Sequence, residues 1–180
     1  GAETVFLAVL PLGHNYGLPH ANFWDTRREA LPPNPNNLPF DVDSLVGHDC
    51  VIGAGDDVAY GDIFDVMGGG GGESPTQGNT NVISSLTGHF NVVGKSLLGW
   101  LSDAFIPNAV RDGTNRLYVH DTPRLVEGRA YALKVRKDEQ RTYWVSARSR
   151  FPGNPWLQNG VELHWAPWQQ ALGYSHLLDT

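Results

Sequence analysis

Beyond Asn108 apolar and polar residues alternate with a period of two, the spacing of a strand with one face in a core. The runs NRLYVHD (115–121), RAYALKVRK (129–137), RTYWVSARSR (141–150) and NGVELHW (159–165) predict short antiparallel strands with turns between them. KDEQ, Lys137 to Gln140, joins two of these as a hairpin, and SHLLDT (175–180) predicts one more strand. Before Asn108 the pattern differs. In TGHFNVVGKSLLGWL, Thr87 to Leu101, the residues Phe90, Val93, Leu97, Leu98 and Leu101 recur at helical spacing and predict an amphipathic helix. A short helix is expected to start at Pro11, because proline suits a first turn and extends the residue before it, and to end near Gly17. From Asn22 to Asp57 the chain reads as irregular, with LPPNPNNLPFD (31–41) too rich in proline and asparagine for regular structure. The expected fold class is α+β, with a helix-and-loop region over 1–107 and an antiparallel β region over 108–180.

The chain has 180 residues, 41% of them hydrophobic and six of them tryptophan, enough for a sizeable core. Its net charge of −6, with 18% charged residues, argues against a nucleic acid or an anionic membrane as main partner. Cys50 is the single cysteine, so no internal disulfide forms. No apolar run reaches the length of a membrane span, and VFLAVL (5–10) is too short for a signal core.

The stretch LPLGHNYGLPHA, Leu10 to Ala21, raises the question of metal chemistry. A catalytic zinc helix of the form H-E-x-x-H-x-x-G-x-x-H places two histidines one turn apart, a glutamate base beside the first, and a third histidine past a turning glycine. Laid on this chain, the pattern falls on Leu10, Pro11, His14, Gly17 and His20. His14 and His20 are then candidate metal ligands, and Gly17 the turn. Leu10 cannot bind zinc, and Pro11, in the general-base position, cannot move a proton. The plainer alternative makes both histidines ordinary polar residues at a helix end.

Three motifs in order, GHNYGLPHANFW, YGDIFDVMG and GHFNVVGKSLLGWL, resemble the gametolysin and immune-inhibitor-A type of secreted metallopeptidase in the metzincin clan. The resemblance runs from about Leu12 to Asp179. It implies the lower part of a metzincin-like catalytic domain, with zinc helix, methionine turn and C-terminal helix, followed by the β subdomain. It also implies zinc as cofactor, hydrolysis of peptide bonds by a metal-activated water, a protein or peptide substrate, and secretion. Met67, the single methionine, falls where the methionine turn passes beneath the zinc site, with Asp62 and Asp65 as further support.

Two departures bear on activity. The first ligand and the base are replaced, and the subdomain that precedes the zinc helix in the family has no counterpart here. A third lies in the tail, where Ser146 and Ala147 stand in place of a carboxylate-bearing stretch. The expectation is a peptidase-like protein with impaired or absent hydrolysis. The alternatives are a non-catalytic protein- or peptide-binding relative, or half of a bipartite enzyme that associates through an open flank near Val5 to Leu10.

Other candidates are weaker. His48, Asp49 and Cys50 are metal-capable, but side chains of adjacent residues diverge. Asp56, Asp57, Asp62 and Asp65 suggest calcium without the spacing of an EF-hand; alternatively Asp62 and Asp65 accept backbone hydrogen bonds and fix a turn. Gly68 to Gly72 lack the Lys-Ser/Thr of a phosphate loop. By the resemblance His89 is structural; His120, His164 and His176 read as surface or packing residues, and Trp144, Trp156, Trp165 and Trp168 as core and edge cover.

Overall fold

The computed structural model describes residues 12–25, 56–58, 61–68, 89–138, 141–149, 160–167 and 175–178. Its centre is a six-stranded sheet: β1 (Ala21–Asp25), β2 (Asp56–Val58), β3 (Ala132–Arg136), β4 (Arg141–Ser146), β5 (Glu162–Pro167) and β6 (Ser175–Leu178). The spatial order is β2-β1-β6-β5-β4-β3. A helix, α1 (Val92–Leu97), and a 3-10 turn (Asp103–Phe105) lie between β2 and β3 in sequence. The chain is thus mixed α and β, with little helix. Among the described residues no helix is long and apolar enough to cross a membrane.

The period-two pattern located β3, β4, β5 and β6. β3 and β4 form the expected hairpin, with Arg136 opposite Thr142 and the Lys137 and Asp138 N–H groups donating to Arg141 O. The run 115–121 is not a strand; Leu117 makes an isolated bridge to Ala130 instead. Alternation alone does not make a strand when the neighbouring edge is used elsewhere, and β3 has β4 on one side and a bridge from Asn108 to Lys134 on the other.

Three further expectations are corrected. Ala21–Asp25 and Asp56–Val58, inside or beside a stretch read as irregular, are strands. Ala21, Asn22, Phe23 and Trp24 are all buried, so β1 carries no one-sided pattern to betray it. Within 108–180 the strands pair antiparallel as expected, but the sheet also takes in β1 from the region read as helix and loop, parallel to β6, Ala21 opposite Ser175 and Trp24 opposite Leu178. The helix predicted over 87–101 is six residues long. Asn91 caps it, its side chain accepting from Gly94 N at 2.9 Å, and the chain leaves the helix after Leu98.

Helix α1 lies against β4. Val92, Val93, Leu101, Ile106, Tyr131, Ala132, Trp144 and Ala166 form one buried cluster there. A second cluster joins Leu18, Ala21 and Met67, and a third sets Trp24 edge-on to Trp165 at 5.6 Å. The second lies under the residues that carry candidate chemistry.

Candidate metal centre

Residues 12–15 form one helical turn that closes through Tyr16 and Gly17, whose N–H groups donate to Gly13 O and His14 O. Gly17, at φ 80°, reverses the chain. Leu18 N–H then returns to Gly13 O at 3.0 Å, which brings His20 back over the turn. His14 Nδ1 donates to Leu18 O at 2.9 Å, so its Nε2 keeps a lone pair. That lone pair faces His20 Nε2 at 3.2 Å, the rings meeting edge to face with centroids 4.8 Å apart. Partial burial and the neighbouring His14 hold His20 below the ordinary histidine range.

Met67 lies directly beneath this turn. It is 2% exposed, and its sulfur occupies the space that a Cβ on Gly13 would need. Its segment, 61–68, is sewn to the start of β1. Ala21 N–H donates to Met67 O at 3.0 Å, and Asp62 N–H donates to Ala21 O at 3.2 Å. Asp62 accepts from Phe64 N–H at 3.0 Å; Asp65 accepts from Met67 N–H and Asn91 N–H, both at 2.6 Å. Burial, and then the charge of Asp62, push the Asp65 carboxyl up to about 7. Asp62 also takes a hydrogen bond from His164 Nε2 at 2.9 Å, with both side chains fully buried.

The chain matches no protein-family model, no curated protein and no solved structure.

Two imidazole nitrogens bound to one tetrahedral zinc, each at ~2.0–2.1 Å, lie about 3.3 Å apart. His14 and His20 are set at that spacing, and a backbone carbonyl fixes the far nitrogen of His14, the usual outer contact of a histidine ligand. Among the described residues no third His, Cys, Asp or Glu joins them. His48, Asp49, Cys50, Pro11, Leu10, Val5 to Leu10, and Gly69 to Gly72 lie outside the described residues, as do Trp156 and Trp168. The carboxylates of Asp62 and Asp65 are buried and engaged with backbone N–H groups, His164 and Asn91, not with one another's open face. Asp56 and Asp57 lie in β2, where Asp57 pairs with Trp24.

A second polar cluster was not anticipated from the sequence. Glu162, first residue of β5, is opposite Ser146, last residue of β4, and accepts from its hydroxyl at 3.3 Å. Arg148 Nε reaches the same carboxylate at 2.8 and 3.0 Å, while its Nη1 donates to Phe64 O at 2.7 Å. Burial raises the Glu162 carboxyl, but the Arg148 guanidinium and the His120 hydrogen bond outweigh it and hold it at about 2. The carboxylate beside Ser146 thus comes from the facing strand β5. His120 and His164, read as surface or packing residues, are buried members of polar networks. His176 stacks on Trp165 at 4.1 Å. The sequence signal available was a charged or imidazole residue at an inward position of an alternating strand, as in V-E-L-H-W (161–165).

Proposed function

We propose that His14 and His20 are two ligands of a zinc site of the metzincin type, in a peptidase-like protein that lacks peptide-bond hydrolysis of its own. The observation that carries this reading is the 3.2 Å separation of the two Nε2 atoms, with His14 Nδ1 engaged by Leu18 O. Met67 beneath Gly13 supports it, since the residue expected under a zinc helix packs there. The gametolysin and immune-inhibitor-A resemblance rests on the ordered motifs, and among the described residues His14 and His20 are the two ligands it supplies. Zinc held there would polarise a carbonyl or acidify a bound water. Pro11 stands where the resemblance places the base, and loss of such a group typically lowers a rate by ~10²–10⁴-fold. The retained function is then recognition of a protein or peptide on a secreted peptidase scaffold.

Calorimetric titration of the purified chain with zinc tests the reading. Binding is expected, weakened at least ~10-fold in His14→Ala and in His20→Ala, with hydrolysis of denatured protein at buffer level. Zinc affinity unchanged in both variants would sink the site, and zinc-dependent hydrolysis would sink the assignment as non-catalytic.

A further inference from the structure

We propose that His120 is the pivot of an acid-released latch, tying α1 to the 117–121 segment and the sheet while its ring is neutral. The hydrogen-bond chemistry leaves one arrangement. Lys95 Nζ lies 2.9 Å from His120 Nδ1 and 2.7 Å from His120 O. An ammonium has donors and no acceptor, so Nδ1 accepts. The ring hydrogen is then on Nε2, which donates to Glu162 Oε2 at 3.3 Å. Glu162 is gripped on its other side by Arg148, which also donates to Phe64 O and, at 3.3 Å, to His89 O. The chain of donors therefore runs from the helix through His120 to the carboxylate that anchors β5 to the 61–68 turn.

A second proton on His120 reverses one link. It places N–H on Nδ1, facing the Lys95 ammonium across 2.9 Å, too short a gap for a water, donor against donor and charge against charge. Lys95 is 6% exposed, so relief requires it to swing out and take α1 off the 117–121 segment. The Arg148–Glu162 pair stays formed, which confines the opening to the helix side.

Among the described residues the groups acting on His120 are Lys95 from α1, Arg148 just beyond β4 and Glu162 from β5. Asp121, next in the chain, accepts from Ser149 N–H at 2.8 Å and attracts Lys95. Asp65 also acts on Lys95, His164 on Glu162, and His89 feels both Lys95 and Arg148. Burial, against the pull of the Glu162 hydrogen bond and with Arg148 and Lys95, lowers His120 to about 4. A folded value below the ordinary 6.5 means the latch contributes fully above 6.5 and is lost as pH falls toward 4. His89, also held at about 4, titrates in the same sense, and Asp65, raised to about 7, in the opposite one. Comparison with variants at each pH isolates His120.

The test is amide hydrogen exchange of the α1 peptide in the full chain, wild type against His120→Gln, whose amide keeps an acceptor for Lys95 and a donor for Glu162. At about pH 7 the two should exchange alike. At about pH 4.5 the wild-type helix should exchange at least ~10-fold faster than the variant. Lys95→Met, which removes the facing ammonium, should suppress the acid acceleration as well, and decides the matter if His120→Gln does not fold. Equal acceleration in wild type and variants, or none in wild type, overturns the proposal.

Discussion

His164 and Asp62 form a buried contact between the 61–68 turn and β5, and its energetics depend on the histidine's charge. Burial by itself lowers the His164 pKa; the hydrogen bond and charge of Asp62 outweigh this and raise it above the ordinary 6.5. A histidine whose folded value is raised contributes stability fully below 6.5, and that contribution disappears as pH rises through the folded value. The melting temperature of His164→Gln should therefore fall furthest below wild type under mildly acidic conditions. The gap should narrow as the solution is made alkaline; a gap that widens would show that the imidazolium form is not the one stabilised. At the same scale His14 and His20 illustrate how few atoms set two imidazoles against one another. One carbonyl, Leu18 O, orients the first ring, and one glycine, Gly17, returns the second to it.

At the scale of elements, α1 is short for a free-standing helix and depends on its ends and its packing. Asn91 serves three structures together. Its Oδ1 caps α1, its Nδ2 donates to Ser175 Oγ at 2.8 Å in β6, and the same nitrogen reaches Asp62 Oδ2 at 3.4 Å. Asn91→Ala should cost about 2–3 kcal/mol in denaturant unfolding, from a lost cap and partners left unsatisfied. Asn91→Asp keeps the cap acceptor but sets a third carboxylate beside Asp62 and Asp65. Its unfolding free energy should recover as pH is lowered, whereas that of Asn91→Ala should show no such recovery. The helix came out shorter than its apolar spacing suggested because Asn91 fixes where it begins. Phe90, ahead of the cap, and Leu101, beyond the turn, reach the core from non-helical backbone.

At the scale of the whole molecule, β6 holds the sheet together. It lies between β1 and β5, so removing it separates the strand pair β2-β1 from β5-β4-β3 and opens two edges. A chain ending at residue 174 should elute as aggregate in size-exclusion chromatography and lose the zinc affinity proposed for His14 and His20, because β1 directly follows His20. Recovery of a monomer with native zinc affinity would show that the 12–25 segment needs no sheet behind it. This arrangement also explains how the last residues of the chain come to support its first candidate site. The parallel pairing of β1 with β6 brings together residues more than 150 positions apart, Ala21 and Ser175.

What the sequence by itself determined was local. Alternation placed β3 to β6, proline and glycine bounded the 12–17 turn, and the motif H-x-x-G-x-x-H (14–20) put two imidazoles within reach of one another. Each of these signals is carried by neighbours along the chain, through backbone dihedrals and the two-residue and 3.6-residue periods. What the tertiary structure decided was everything that depends on distant partners. β1 is a strand because β6 lies beside it; the run 115–121 is not one because the adjacent edge is taken. Glu162, Arg148, His120 and Lys95 are buried because they satisfy one another, and a buried charge is stable only beside its partner. No periodicity along the chain encodes that partnership.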